Sequence, residues 1–157
     1  MSYIVLHKEL IEKIQYEINE IEELFESYSV LIELIKSKEP DLIETTAMAT
    51  VLHSFYNGIE KIFVLIAKEK DRCIPNGFKW HSDLLSQMVE DNALRSNVIS
   101  KNTLEILNEY MAFRHFYRHA YSFHLRWDKI KCLCLNLEKN WNTIRCEIEG
   151  FVCSNGE

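Results

Sequence analysis

Residues 11–35, IEKIQYEINEIEELFESYSVLIELI, carry the pattern that decides the fold. Apolar side chains recur here at alternating steps of three and four residues: Ile11, Ile14, Ile18, Ile21, Phe25, Tyr28, Ile32 and Ile35. Such steps place them on one face of an α-helix, which has about 3.6 residues per turn. Polar residues such as Glu17 and Glu20 fall on the opposite face. The pattern predicts one long helix from about Tyr3 to Lys38, which stops near Pro40 because the residue before a proline avoids helical geometry.

A second apolar stripe follows Pro40, a residue suited to the first turn of a helix. Its members are Met48, Leu52, Phe55, Ile59, Ile62 and Ile66. They predict a second helix that frays near Asp71. Residues 72–80 contain proline and Asn-Gly but no periodicity, which is typical of a surface loop. A short third helix is predicted over residues 81–91, with Trp80 and His81 anchoring the loop and opening the helix.

Two more helices complete the predicted fold. Ser100 has the side chain of an N-cap for a helix that runs to about Tyr121. Asp128 is the predicted cap of a last helix. Five helices with short connections predict an all-α protein, an antiparallel up-and-down bundle. We expect a single domain over residues 1–150 and a frayed C-terminal tail over residues 151–157.

The composition agrees with this fold class. The chain has 157 residues, of which 47% are hydrophobic and 27% charged, with only 4 glycines and 2 prolines, so turns suited to an all-β fold are few. Its net charge of −6 argues against general nucleic-acid binding. The 5 cysteines form no C-x2-C pair, and no signal peptide or bilayer-length apolar run is visible. We therefore expect a cytoplasmic protein with reduced cysteines.

One region departs from the acidic balance of the chain. Residues 111–127 contain no acidic residue, although the chain as a whole has 24 acidic and 18 basic residues. The region contains these basic side chains: Arg114, His115, Arg118, His119, His124 and Arg126. Interleaved aromatic rings suit single-stranded RNA, because phosphates bind guanidinium groups and bases stack on rings. The other interpretation is a helix end whose cations favour the negative pole of the helix dipole, with the aromatic rings in the core.

Helical geometry divides this cluster between two faces. At about 100° per residue, Arg114, Arg118 and Tyr121 lie within about 60° of one another. His115 and His119 lie on a second face, with His119 about 140° from Arg114. Either the helix bends or ends there, or a second copy of the chain completes the site across a two-fold axis. We favour the homodimer.

The motif Arg114-x4-His119-x-Tyr121, within FRHFYRHAYSFHLRW, resembles the R-x4–6-H-x-Y motif of the HEPN superfamily, specifically of HepT-like toxins. The segment LHSFYNGIEKIFVLIAKEKD followed by IPNGFKWHSDLLSQM also resembles the second helix, loop and third helix of that family. The resemblance covers most of residues 45–145. It implies an all-α homodimer with the motif at the dimer interface, acting as a metal-independent endoribonuclease without a cofactor.

The chemistry of these residue types fits that implied activity. An imidazole titrates near pH 6.5, so His119 is the predicted general acid and base. Arg114 offers a planar, permanently charged fork for phosphate oxygens. Arg118 and His115 are predicted secondary contacts to RNA phosphates. The product would be a 2′,3′-cyclic phosphate, and no metal-binding spacing such as H-E-x-x-H is present.

The resemblance also implies a protein partner. In the HepT family, the antitoxin is a minimal nucleotidyltransferase (MNT) that silences the toxin by adenylylating the tyrosine that matches Tyr121. A bulky negative phosphodiester there would compete with RNA phosphate for the arginine and histidine cluster. Alternatively, Tyr121 only orients the scissile group or stacks on a base.

Other interpretations stay open at this point. The chain is either a ribonuclease toxin or a non-catalytic helical scaffold for the nucleotidyltransferase, and a structural bundle with an incidental basic cluster is a third alternative. His53, Tyr56 and Glu60 share one side of the second helix and either line the motif cleft or form a polar helix edge.

Overall fold

A computed structural model describes residues 6–156 of the chain. Seven α-helices form within these residues, and the all-α prediction is confirmed. The helices are α1 (Lys8–Ser27), α2 (Ser29–Ser37), α3 (Leu42–Ile66), α4 (Trp80–Val89), α5 (Lys101–His119), α6 (Trp127–Leu135) and α7 (Leu137–Asn155). A π-helical turn, Ala67–Asp71, extends α3, and a 3-10 turn, Ser122–His124, follows α5. None of the helices in this part of the chain combines the length and apolar composition needed to cross a bilayer.

The predicted first helix is two helices in the structure. Tyr28 adopts φ −107° and ψ 14°, which ends α1 one residue before α2 begins. Apart from Ile11, the isoleucines of the apolar stripe are buried on both sides of the break, whereas Phe25 and Tyr28 at the break are half-buried. Helix α2 contacts the start of α7, where Lys36 Nζ lies 2.8 Å from Glu138 Oε2. The predicted start at Tyr3 lies outside the described residues.

Helix α3 is the central element of the bundle. It begins with a capping box in which the Asp41 side chain accepts from the Glu44 N–H and the Glu44 side chain accepts from the Asp41 N–H. Buried residues occur along its whole length. Gly58 allows close packing against α1, because a Cβ atom at this position would lie 2.8 Å from Ile21 Cγ1. Helix α3 also contributes half-buried and buried polar side chains to the site described below.

Helices α4 and α5 begin close to their predicted starts. The loop covers residues 72–79, and α4 begins at Trp80. Ser100 caps α5 as predicted, since its hydroxyl oxygen accepts from the Thr103 N–H at 3.1 Å. Helix α5 ends at His119 rather than near Tyr121, because Ala120 is extended.

The predicted last helix is also divided. Asn136, at φ −96° and ψ 2°, separates α6 from α7. The predicted cap at Asp128 is wrong, because Arg126 is the N-cap residue and Asp128 lies in the first turn of α6, paired with Arg126. These two breaks, at Tyr28 and Asn136, turn the five predicted helices into seven.

The C-terminal residues are part of the bundle, in contrast to the frayed tail predicted for residues 151–157. Helix α7 continues through Asn155, and both Phe151 and Asn155 are buried. The carbonyl of Asn155 accepts a hydrogen bond of 2.7 Å from the Leu6 N–H. Burial of Phe151 outweighs the local tendency of Gly150 to end a helix, and only Glu157 of this tail lies outside the described residues.

A buried arginine ties the π-helical turn to the segment between α4 and α5. Arg95 is fully buried and pairs in a bidentate manner with Asp71, with Nε–Oδ1 at 2.6 Å and Nη2–Oδ2 at 2.7 Å. Its remaining N–H groups donate to the carbonyls of Gln87, Glu90 and Ser96. This network fixes the position of α4 relative to the end of α3.

Candidate active site

The last turns of α5 carry the two predicted groups of cationic side chains. The helix runs without a break from Lys101 to His119, so the angular separation predicted for Arg114 and His119 applies. The rings of His115 and His119 lie side by side, with centroids 4.9 Å apart. Both histidines are exposed. The structure therefore places Arg114 on the side of α5 that faces other helices, and His115 and His119 together on a separate exposed face.

Arg114 is held by side chains from two other helices. Its Nε donates to Asn57 Oδ1 on α3 at 3.1 Å. Its Nη1 lies 3.4 Å from Nε2 of His81 on α4. The other ring nitrogen of His81, Nδ1, lies 2.6 Å from Oε2 of Glu60 on α3. Side chains from three helices, α3, α4 and α5, thus form one chain of polar contacts that includes the guanidinium group.

The chain of contacts continues beyond Asn57. Because Asn57 Oδ1 accepts from Arg114, its Nδ2 is the donor to His53 Nε2, at 3.1 Å. The ring of His53 stacks on Tyr117, with centroids 4.6 Å apart. The hydroxyl of Tyr117 lies 3.2 Å from that of Thr50. These contacts fix the amide orientation of Asn57 and the acceptor role of His53 Nε2.

The same surroundings lower the pKa of His53 below its ordinary value. Burial of the ring is the main cause, and the positive charges of Arg114 and Arg118 add to it. His53 is therefore neutral at neutral pH. A neutral ring is required for Nε2 to accept the hydrogen bond from Asn57.

Two of the five N–H donors of Arg114 are used within residues 6–156, which leaves three for a ligand. Arg114 also makes no direct salt bridge to a carboxylate among the described residues. Among the arginines of the described residues, salt bridges to carboxylates are made by Arg95, Arg126 and Arg145, and not by Arg72, Arg114 or Arg118. The two atoms that contact Arg114 are an amide oxygen of Asn57 and a ring nitrogen of His81, and neither belongs to a carboxylate. The arrangement holds a fixed cation with free donors, which suits an anionic ligand.

Glu60 and Tyr56 occupy the buried part of α3 behind this chain of contacts. Glu60 is 7% exposed and Tyr56 is fully buried. Burial raises the pKa of Tyr56, and the neighbouring carboxylate of Glu60 adds to the rise. Of the three α3 residues left open above, His53 and Glu60 belong to the chain of contacts around Arg114, whereas the Tyr56 ring is part of the core.

Tyr121 lies outside the helix that carries Arg114. The prediction that Arg114, Arg118 and Tyr121 share one helical face is wrong for Tyr121, because Ala120 leaves α5 in an extended conformation. Tyr121 instead precedes the 3-10 turn and is 73% exposed. Its ring stacks on Phe123, with centroids 5.5 Å apart and an interplanar angle of 10°. The tyrosine is therefore presented to solvent beside the C-terminal end of α5.

Asn57 and His81 are the site residues that sequence reasoning did not assign to the site. A signal for Asn57 exists, because it lies four residues after His53 and three before Glu60 and so shares their helical face. His81 was assigned only to the start of a helix, and its contact with Arg114 depends on the packing of α4 against α5. No group of three or more His, Cys, Asp or Glu side chains that could bind a metal ion occurs among the described residues.

Comparison with protein families matches residues 47–154 to the family described as HepT-like protein. The chain belongs to the HepT-like family of the HEPN superfamily. The match covers the segments of α3, α4 and α5 that contain the Arg114 contacts and ends in α7, so the family predicted from the sequence is confirmed. This family is related to ribonucleases and is typically found in toxin–antitoxin pairs. No curated protein and no solved structure matches the chain.

Proposed function

We propose that this HepT-like protein is a metal-independent endoribonuclease toxin, in which Arg114 and His119 are the catalytic residues. The observation that carries the proposal is the hydrogen bonding of Arg114, which within residues 6–156 makes no salt bridge to a carboxylate and leaves three of its N–H donors unused. A phosphodiester group satisfies both features, because it brings negative charge and several acceptor oxygens.

In the proposed reaction, amino-acid side chains supply both the proton transfers and the stabilising charge. Neutral His119 removes the proton from a ribose 2′-hydroxyl, and the 2′-oxygen attacks the adjacent phosphorus. The bond between phosphorus and the 5′-oxygen then breaks, and the imidazolium returns its proton to the departing 5′-oxygen. The products are a 2′,3′-cyclic phosphate and a 5′-hydroxyl. Arg114 stabilises the negative charge that accumulates on the phosphate oxygens in the transition state.

Neighbouring side chains supply further contacts to RNA. Arg118 is exposed and makes no salt bridge within residues 6–156, and His115 lies beside His119. Both are proposed phosphate contacts. The stacked rings of Tyr121 and Phe123 are exposed and suit unpaired bases, since base stacking on aromatic rings is tolerant of sequence.

The proposed active form is a homodimer. Arg114 and His119 lie about 140° apart on a straight helix, so one copy does not direct both at the same phosphate. In a two-fold dimer, Arg114 of one copy and His119 of the other face a common site. Mixing Arg114→Ala with His119→Ala protein then restores cleavage, because one of the two sites in each mixed dimer keeps both residues. No restoration after complete subunit exchange would contradict the shared site.

Control by a nucleotidyltransferase antitoxin is the second part of the proposal. The exposed hydroxyl of Tyr121 attacks the α-phosphate of ATP on that enzyme, loses its proton, and takes up AMP as pyrophosphate leaves. The exposure of Tyr121 (73%) supports this assignment. Incubation with the cognate enzyme and ATP should add one AMP to wild type and none to Tyr121→Phe. Equal incorporation in both proteins would assign the modification to another residue.

The decisive experiment is cleavage of total RNA and transfer RNA in EDTA by wild type, Arg114→Ala and His119→Ala. We expect cleavage by wild type alone, with cyclic-phosphate ends. His7→Ala is the matched control, since His7 is exposed at the start of α1 and outside this site. No cleavage by unmodified, dimeric wild type would favour the alternative of a non-catalytic scaffold for the nucleotidyltransferase, which the net charge of −6 also favours.

A further inference from the structure

We infer that Glu60 and His81 form a positioning pair, which holds the guanidinium of Arg114 in the orientation that presents its free donors to RNA phosphate. The inference rests on the proposed function, because it assigns a role to residues behind the proposed catalytic arginine. Neither residue touches the exposed face of α5, and both act through Arg114.

The contacts of His81 determine which proton it carries. The carboxylate of Glu60 is an acceptor, so Nδ1 of His81 is the donor in their 2.6 Å contact. A guanidinium group has no acceptor, so Nε2 of His81 must keep its lone pair to accept from Arg114 Nη1 at 3.4 Å. The ring is therefore neutral, with its proton on Nδ1. Glu60 holds the ring in the form that Arg114 requires.

Burial gives this pair its rigidity. Glu60 is 7% exposed, and the side chain of His81 is 21% exposed, so water does not readily replace either partner. Trp80 lies against the ring of His81, with centroids 3.6 Å apart. Together with Asn57, which accepts from Nε, the pair fixes the guanidinium at two separate nitrogen atoms. A fixed guanidinium loses little further freedom when phosphate binds, which favours a preorganised site.

Two substitutions at His81 separate positioning from a merely structural role. In His81→Asn, the amide nitrogen occupies the position of Nδ1 and still donates to Glu60, but the acceptor for Arg114 is lost. In His81→Gln, the amide oxygen reaches the position of Nε2 and still accepts from Arg114, but the contact with Glu60 is weakened. Positioning predicts that the asparagine variant is impaired and the glutamine variant active. A structural role as partner of Glu60 predicts the reverse order.

The first measurement is kcat/KM for RNA cleavage in EDTA, with thermal unfolding of each variant as the test of folding. We expect His81→Asn to lose about tenfold to a hundredfold in kcat/KM, mainly in kcat, as displaced catalytic groups do. His81→Gln should stay within about threefold of wild type, as should the control His7→Asn. Equal activity of the asparagine variant and wild type, or greater loss in the glutamine variant, overturns the inference.

The second measurement does not depend on cleavage. In protein with 15N-labelled arginine, a guanidinium held at both Nε and Nη1 gives separate Nη signals, whereas a free guanidinium averages them by rotation. The signals of Arg114 are assigned by their disappearance in Arg114→Lys. We expect separate signals in wild type and His81→Gln and averaged signals in His81→Asn, and identical spectra overturn the inference. Wild type that holds Arg114 but cuts no RNA contradicts the proposed function and leaves the positioning pair supported.

Discussion

Arg95 and Arg114 are two partly or fully enclosed arginines with opposite hydrogen-bond states. Arg95 is fully buried, and its N–H groups make five hydrogen bonds, to Asp71 and to three carbonyl oxygens. Arg114 is half-buried and makes two hydrogen bonds within the part of the chain that the structure describes, to Asn57 and His81. The two side chains have the same five N–H donors but differ in how many of these donors bind other parts of the fold.

The difference shows which arginine is available for a ligand. Asp71 neutralises Arg95, and no donor of Arg95 remains free, so this side chain only stabilises the fold. The partners of Arg114 are neutral, so its charge remains, and its free donors keep their capacity for phosphate. An arginine whose donors are all hydrogen-bonded within the fold is therefore structural. An arginine that is fixed in position but keeps unused donors is a candidate for binding and catalysis.

Replacement of Arg95 should have the largest effect on stability. In Arg95→Met, the Asp71 side chain remains as a buried carboxylate without its cationic partner, and three carbonyl oxygens each lose the hydrogen bond from Arg95. We expect the free energy of unfolding to fall by about 3–5 kcal/mol, measured by urea denaturation. A loss below about 1 kcal/mol would show that this network does not stabilise the bundle.

Arg114 should show the opposite pattern. In Arg114→Ala, we expect kcat/KM for RNA cleavage to fall about 100- to 1,000-fold, as when a donor to a developing anion is removed. The free energy of unfolding should fall by only about 1 kcal/mol, because two hydrogen bonds to partly accessible partners are lost. Arg114→Lys should not restore activity, because an ammonium group lacks the planar fork that bridges Asn57, His81 and phosphate. Full activity of the lysine variant would contradict the fixed-fork argument.

A smaller effect should appear in the titration of His53. The folded state lowers the pKa of His53, first by burial and then through Arg114 and Arg118, so the unfolded chain binds this proton more readily. Stability should therefore fall as pH drops through the ordinary imidazole range near 6.5. Arg114→Ala should raise the pKa of His53 part of the way to its ordinary value, as measured by NMR of the ring protons. An unchanged pKa would show that the charge of Arg114 does not reach His53.

The smallest effect is expected for a third arginine on the surface. Arg126 pairs with Asp128 through two 3.1 Å contacts, but the two side chains are 67% and 57% exposed. Arg126→Met should change the free energy of unfolding by less than about 1 kcal/mol. It is also the matched control for Arg95→Met and should leave the pKa of His53 unchanged. If Arg126→Met lowered the free energy of unfolding as much as Arg95→Met, burial would not explain why the Arg95 pair stabilises the fold.

The helices were predicted where the local pattern is strong and were misjudged where packing decides. The stripe from Ile14 to Ile35 and the Ser100 cap depend on neighbouring residues alone, so the sequence predicts them. The breaks at Tyr28 and Asn136 have no proline or glycine to mark them. The helices on either side of these breaks pack separately, with α2 against α6 and α6 against α7. Sequence spacing does not reveal these contacts.

The candidate site divides in the same way. The motif Arg114-x4-His119-x-Tyr121 is recognisable in the sequence, and the separation of the arginine and histidine faces follows from helical geometry. The position of Tyr121 was wrong because an extended residue, Ala120, breaks that geometry. His81 lies far from the motif in sequence and joins it only through the packing of α4 against α5.

The sequence by itself determined the helical class, the main apolar stripes and the motif that marks the family, because these depend on contacts between residues a few positions apart. Only the tertiary structure decided that every donor of Arg95 is hydrogen-bonded within the fold. It also decided that Arg114 is hydrogen-bonded at two of its nitrogen atoms and keeps other donors unused within the described residues. The physical reason is that the hydrogen-bond state of an arginine depends on acceptors such as Asp71, Asn57 and His81, which distant segments bring to it on folding.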